Sequence, residues 1–189
     1  MESEGLQMSK VDIKKFINNA PVGKIIKVRF KDGKNYELVK YHEGIIGTRD
    51  CPFSSRMNED WSKEADWNTS DLKPKLEKWF KENAPEELVE ICDVTIPSMT
   101  NIYGKEYKNY HHDDKNQFQF AYFKDWHNRI KTILSSSSNK EGWWYWTKSP
   151  RAGSSDDFCY VDSNGNAGYN VANDYDGVAP CFCLKGFNL

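Results

Sequence analysis

The sequence predicts an α+β domain, with two helices followed by short, mostly antiparallel strands joined by long loops. Three observations carry this. Helical apolar spacing appears once strongly, at Leu72, Leu76, Trp79 and Phe80. The second half holds a series of short apolar strings separated by Asn, Asp, Ser and Gly, too close together for crossover helices, so these strands pair antiparallel. With 189 residues the chain fits one domain with a small appendage and can bury a core without staples.

Taken in order, residues 10–18 read as a short helix capped by Ser9, with Val11, Ile13, Phe16 and Ile17 on its apolar face. Gly23 to Leu38 reads as a hairpin: Ile26, Val28 and Phe30 alternate with charge, Asp32-Gly33 makes the turn, and Tyr36 and Leu38 resume the alternation. A loop containing Cys51-Pro52 follows. Ser70 then caps the clearest helix, with Pro74 in its first turn, where a missing N–H costs little. Pro85 opens a shorter helix carrying Leu88, Val89 and Ile91, and Val94 and Ile96 form a brief strand ended by Pro97. The region 98–130 has no clear period. Ser135 to Ser138 reads as a surface loop, and strands are expected at 143–148, 158–161, 167–171 and 178–184.

Composition excludes several functions. A net charge of −2 leaves no basic face for nucleic acid or an anionic membrane. No stretch approaches the roughly 20 apolar residues of a membrane span, and the start lacks the apolar run of a secretory signal. The chain is therefore expected to be made in the cytoplasm and to reach the outside, if it does, by another route such as release in a virion. Five cysteines at irregular spacing argue for buried thiols rather than a disulfide framework.

The stretch 152–184 differs from the rest in alphabet. It has no Lys, Glu, Gln, Met or Trp and is rich in Asn, Asp, Ser, Gly, Ala and Tyr. Two apolar strings bracket it, Trp143 to Trp146 and Val178 to Leu184. Tyr supplies contact area at low entropic cost and the short polar residues supply adaptable hydrogen bonds, which suits a binding surface. Phe158, Val161, Val171, Val178, Phe182 and Leu184 are expected to point into the core. Ser154, Ser155, Asp156, Asp157, Tyr160, Asp162 and Asn164 are expected outside, as are Asn166, Tyr169, Asn170, Asn173, Asp174, Tyr175 and Asp176. Ordinary loops use the same residues, because these accept left-handed geometry and cap their own backbone; the recurring Tyr favours a surface for recognition.

Other constellations carry weaker chemistry. His111-His112-Asp113-Asp114 offers metal-ligand types, but adjacent residues rarely converge on one ion, and a solvated loop is the simpler reading. Cys181 and Cys183 share one face of a strand and, with Cys159, offer a soft-metal cluster; core packing is the alternative preferred here. Trp143 to Trp146 could stack sugars, but at least two of the four rings are expected in the core, and Trp126 is read as part of a helix face. There is no G-x-S-x-G, H-E-x-x-H or phosphate loop. No cofactor is implied.

The run Trp143-Trp144-Tyr145-Trp146-Thr147-Lys148-Ser149-Pro150 resembles the WWLRSP signature of bacterial and phage proteins with a C-type lectin-like fold of the formylglycine-generating-enzyme type. Gly177 to Leu184 resembles the close of that family, and Phe158 to Val161 followed by Asn164-Gly165-Asn166-Ala167 resembles its middle. Trp67 to Leu72, Leu76 to Phe80, Ile96-Pro97-Ser98 and Tyr122 to Asp125 fit more loosely. The likeness spans 22–189, leaving 1–21 as an N-terminal helical segment that either packs on the domain or docks it to an assembly. Thr147-Lys148 stands where Leu-Arg is usual, and Ala179 where Arg is frequent, which removes a cation from the base of the site.

The resemblance implies a lectin-like domain whose members include the variable proteins of diversity-generating retroelements. In those systems, adenine-directed reverse transcription rewrites C-terminal codons. An AAC codon so treated becomes any codon ending in C, a set that excludes the five residue types missing from 152–184. The implied function is non-enzymatic binding of a protein or glycan on a target cell surface, through a varying region at 152–184 on a constant scaffold. Fibre-borne relatives imply a homo-oligomer such as a trimer. The rivals are a cysteine oxidase like the formylglycine-generating enzymes, and a purely structural virion domain. The calcium-binding sugar signature of animal lectins is missing.

Overall fold

A computed structural model describes residues 10–108, 111, 117–134 and 142–187. The expected Ser9 cap, the loop at Ser135 to Ser138 and the residues His112, Asp113 and Asp114 lie outside them, as does the side chain of Val11. The fold is α+β. Helix α1, Lys10–Asn19, sinks Ile13 and Ile17 into the same core as Val28, Phe30 and Leu88. Strands β1, Ile25–Arg29, and β2, Asn35–His42, form the expected hairpin. Its turn is fixed by Asp32, which accepts from Lys34 N–H at 3.0 Å and Tyr36 O–H at 2.7 Å, and by Gly33 at φ 81°.

Strands β3, Ile45–Thr48, and β4, Phe53–Ser55, follow where only a loop was expected. Helix α2, Leu72–Asn83, buries Leu72, Leu76 and Phe80 along one face. Ser70 Oγ accepts from Lys73 N–H at 3.3 Å, so the sequence-predicted cap works just ahead of the first helical residue. Pro85 forces Ala84 into extended geometry (ψ 153°) and separates α2 from α3, Glu86–Ile91, whose first turn carries Glu86 and Glu87 against the helix dipole. Strand β5, Cys92–Thr95, follows. The unclear region then opens with α4, Met99–Tyr103, held by a reciprocal cap in which Ser98 and Asn101 each accept the other's backbone N–H.

The C-terminal strands are β6, Tyr145–Pro150, β7, Asp157–Val161, β8, Ala167–Val171, β9, Asp176–Val178, and β10, Cys181–Leu184. The single strand expected at 178–184 is two. Pro180 donates no ladder hydrogen bond, and at Ala179-Pro180 the chain passes from one sheet to the other. The first sheet runs β1-β2-β3-β10-β5 and is antiparallel throughout; the second runs β4-β9-β6-β7-β8, with β9 and β6 parallel.

Three apolar clusters fill the spaces around the sheets. One lies between them, joining Val39, Tyr41 and Cys181 of the first to Tyr145, Cys159 and Val161 of the second. A second packs Ile13, Ile17, Phe80 and Leu88 on the outer face of the first sheet. The third packs Leu72 and Leu76 against Trp146, Phe158 and Val178. Helix α2 thus spans two clusters, and Trp146 and Tyr145, adjacent in sequence, are both wholly buried on opposite sheet faces.

Candidate functional site

Strands β6 to β9 and their loops form one end of the second sheet, and residues 152–184 supply much of it. Strand alternation sorts the tail into two surfaces. Cys159 pairs Tyr169, whereas Tyr160 pairs Gly168, so Tyr169 and Tyr160 leave opposite faces of the sheet. Tyr169 stands exposed under the Arg151 guanidinium, 3.3 Å from ring centroid to carbon, and Arg151 is held to Asp157 at 2.9 Å.

On the opposite face, the Tyr160 ring is half-buried and stacked on the Trp144 indole, centroids 4.9 Å apart and planes 8° from parallel. Gly168 permits this packing, because a Cβ there would lie 2.4 Å from the Tyr160 ring. Beside this ledge a cleft of about 470 Å³ opens. It is lined by Gly142, Trp143, Trp144 and Ser163 together with Asn170, Asp174 and Tyr175, and the buried Asp176 lies beneath. Tyr175 is 61% exposed, with the Arg56 guanidinium 4.8 Å over its ring.

Asp176 is 4% exposed, and its Oδ2 has no hydrogen-bond partner among the described residues. Burial pushes its carboxyl up to about 6; a hydrogen bond from the Asn170 side chain opposes this and the Asp174 charge adds to it. Burial also raises the Tyr160 hydroxyl, with the Asp176 charge next in weight.

Measured against the sequence expectations, Ser155, Asn164, Asn166, Tyr169, Asp174 and Tyr175 are exposed. Ser154, Asp156, Tyr160, Asp162, Asn170 and Asn173 are half-buried. Two expectations of outward placement are corrected. Asp157 lies within the sheet, paired to Arg151, and Asp176 lies at the base of the cleft on a strand flanked by β4 and β6. Val171, expected in the core, is 37% exposed because its strand is the sheet edge, and Leu184 is half-buried; Phe158, Val161, Val178 and Phe182 are buried as expected. Asp162 organises a turn: its Oδ1 accepts the N–H groups of Asn164 and Asn166, each at 2.8 Å.

Sequence reasoning had no claim on Ser163 or Gly142, and read Trp143 and Trp144 only as part of an aromatic run. The alternation about the buried Trp146 is the signal that places Trp144 on the same face. The five cysteines are buried thiols; burial pushes those of Cys51 and Cys92 up to about 12, and a hydrogen bond to Cys181 together with burial raises that of Cys183. Among the described residues, no group of three or more His, Cys, Asp or Glu is arranged to hold a metal ion. None of their helices is long and apolar enough to cross a membrane.

The sequence profile of a domain of unknown function, DUF6273, matches residues 42–186, from the end of β2 to the turn after β10. The chain belongs to the DUF6273 family. The matched part of the DUF6273 domain contains the whole cleft and the whole stretch 152–184, whereas α1, β1 and most of β2 precede it. No curated protein and no solved structure matches the chain.

Proposed function

We propose that this DUF6273 domain is a non-enzymatic ligand-binding module of C-type lectin-like fold. Its stretch 152–184 forms a diversifiable surface for a protein or glycan on a target cell, as in retroelement variable proteins. The observation that carries this is the division within the stretch. Asn164, Asn166, Tyr169, Asp174 and Tyr175 face solvent while Phe158, Val161, Val178 and Phe182 are buried, so the exposed positions can vary while the core stays constant. The five residue types missing from this stretch are those that an adenine-edited AAC codon cannot reach. The thiols are buried, and burial raises those of Cys51 and Cys92, the reverse of what a nucleophilic cysteine needs, which weighs against a cysteine oxidase.

Two experiments test the reading. In the genome, an adenine-rich near-copy of the codons for 152–184 beside a reverse-transcriptase gene is the expected finding; its absence removes the diversification claim. In the protein, Tyr175→Ala and Tyr169→Ala should leave the melting temperature unchanged and abolish retention on glycan arrays or intact target cells. Because Tyr175 lines the cleft beside Trp144 whereas Tyr169 leaves the sheet face opposite Tyr160, loss from one variant alone identifies the surface used. Retention by both would reject the binding surface.

A further inference from the structure

We propose that the cleft between Trp144 and Tyr175 takes a primary ammonium group, with the Asp176 carboxylate as its counter-ion. This rests on the reading of 152–184 as a binding surface and names the chemistry that its deepest point recognises. A carboxylate oxygen buried without a donor is costly, and natural folds leave few of them. Asp176 Oδ2 is such an atom. The Asn170 side chain serves the carboxylate, but the other groups that interact with it electrostatically are the acidic Asp174, the Tyr160 hydroxyl and the Cys51 thiol.

Among the described residues, the lining contains two carboxylates, Asp174 and Asp176, and no Lys or Arg. The nearby cation Arg56 is outside the lining; its guanidinium lies over the Tyr175 ring and donates to Glu59 at 3.1 Å. The site is therefore electronegative at its base and aromatic at its sides, the environment that stabilises an organic cation. A primary ammonium brings N–H donors to the carboxylate, which a quaternary ammonium lacks. A hard metal ion would need six or more oxygens, and two carboxylates do not make that cage. A volume of about 470 Å³ admits the ammonium with an alkyl stem or a sugar ring behind it.

The test is a titration of the full chain, followed by the indole N–H resonances in a nitrogen-correlated NMR spectrum. The probes are Nα-acetyl-lysine methylamide and glucosamine, with Nα-acetyl-norleucine methylamide and N-acetylglucosamine as their neutral counterparts. We expect at least one charged probe to saturate the cleft at least tenfold more tightly than its counterpart; the lysine analogue points to a protein source and glucosamine to a glycan. Asp176→Asn should weaken binding at least tenfold, Tyr175→Leu several-fold, and Glu82→Gln on α2 not at all. Neutral probes binding equally well, an unaffected Asp176→Asn, or no saturation by any probe overturns the proposal. That failure is distinct from failure of the wider surface, which is read by target retention of the Tyr169 and Tyr175 variants with no small amine present.

Discussion

Lys131 and Asp176 are both drawn inside, and the fold treats them differently. Lys131 is 1% exposed, and its ammonium donates to Tyr41 Oη, Thr48 O and Arg49 O, each at 2.8 Å, between the rings of Tyr41, Phe123 and Tyr145. Burial nevertheless lowers it to about 8. Lys131→Met takes a donor from three buried acceptors at once, and urea unfolding should show a loss of about 2–4 kcal/mol. Asp176 has the opposite problem, an acceptor short of donors. Its folded pKa of about 6 lies above the roughly 4 of an unfolded carboxyl, so the folded state holds the proton more tightly. Stability from this group is present below about pH 4, is lost as pH rises through about 6, and stays lost above that. Asp176→Asn should therefore raise unfolding free energy by about 2 kcal/mol at about pH 7.5 and by far less near pH 4, read as the difference between the two urea curves. Neither residue was legible in the sequence. Lys131 sits in an unpatterned run, and Asp176 sits among Asp and Asn residues whose composition says surface. Only the two neighbouring strands, one contributed from the distant Phe53–Ser55, bury it.

At the scale of elements, the Trp144–Tyr160–Gly168 stack and the Asp162 turn hold the site end of the second sheet. Gly168→Val would drive a side chain into the Tyr160 ring, and we expect a loss of about 1–3 kcal/mol with a changed tryptophan fluorescence spectrum. Asp162→Ala should cost about 1 kcal/mol, since two N–H groups lose their acceptor, whereas Asn164→Ala should stay within about 0.5 kcal/mol in the same thermal melts. The hairpin of β1 and β2, helix α2 and strands β7 and β8 were legible because each carries a local signal: an Asp-Gly turn, a helical apolar stripe, or short apolar runs between turn residues. Strands β3 and β4 were not, being very short, although the Glu43-Gly44 turn between β2 and β3, with Gly44 at φ 69°, was the available clue to the first. Helix α4 is too short for a period; its Ser98 and Asn101 cap was the available clue. The run 178–184 is apolar at nearly every position because successive segments are buried on both faces in different sheets, so only Pro180 marked the break.

For the molecule as a whole, two sheets share a central cluster and each has a second cluster on its outer face. That architecture gives large rings a place in the core, where Trp146 and Phe158 fill wide gaps beneath short strands, whereas Trp61, Trp126 and Trp144 are exposed. It also explains why the site was legible in outline and not in detail. Composition marked 152–184, but which tyrosine faces which way depends on pairing register, and the cleft needs a wall from outside the stretch. One further consequence follows from the passage at Ala179-Pro180. The strand after it, Cys181–Leu184, lies between β3 and β5, and the strand before it lies between β4 and β6. A ribosome must therefore translate through Val178 before the second sheet can close, and through Leu184 before the first can. A frameshift or premature stop ahead of Asp176 leaves both sheets with an open seam and unpaired strand edges, a chain fit for proteolysis.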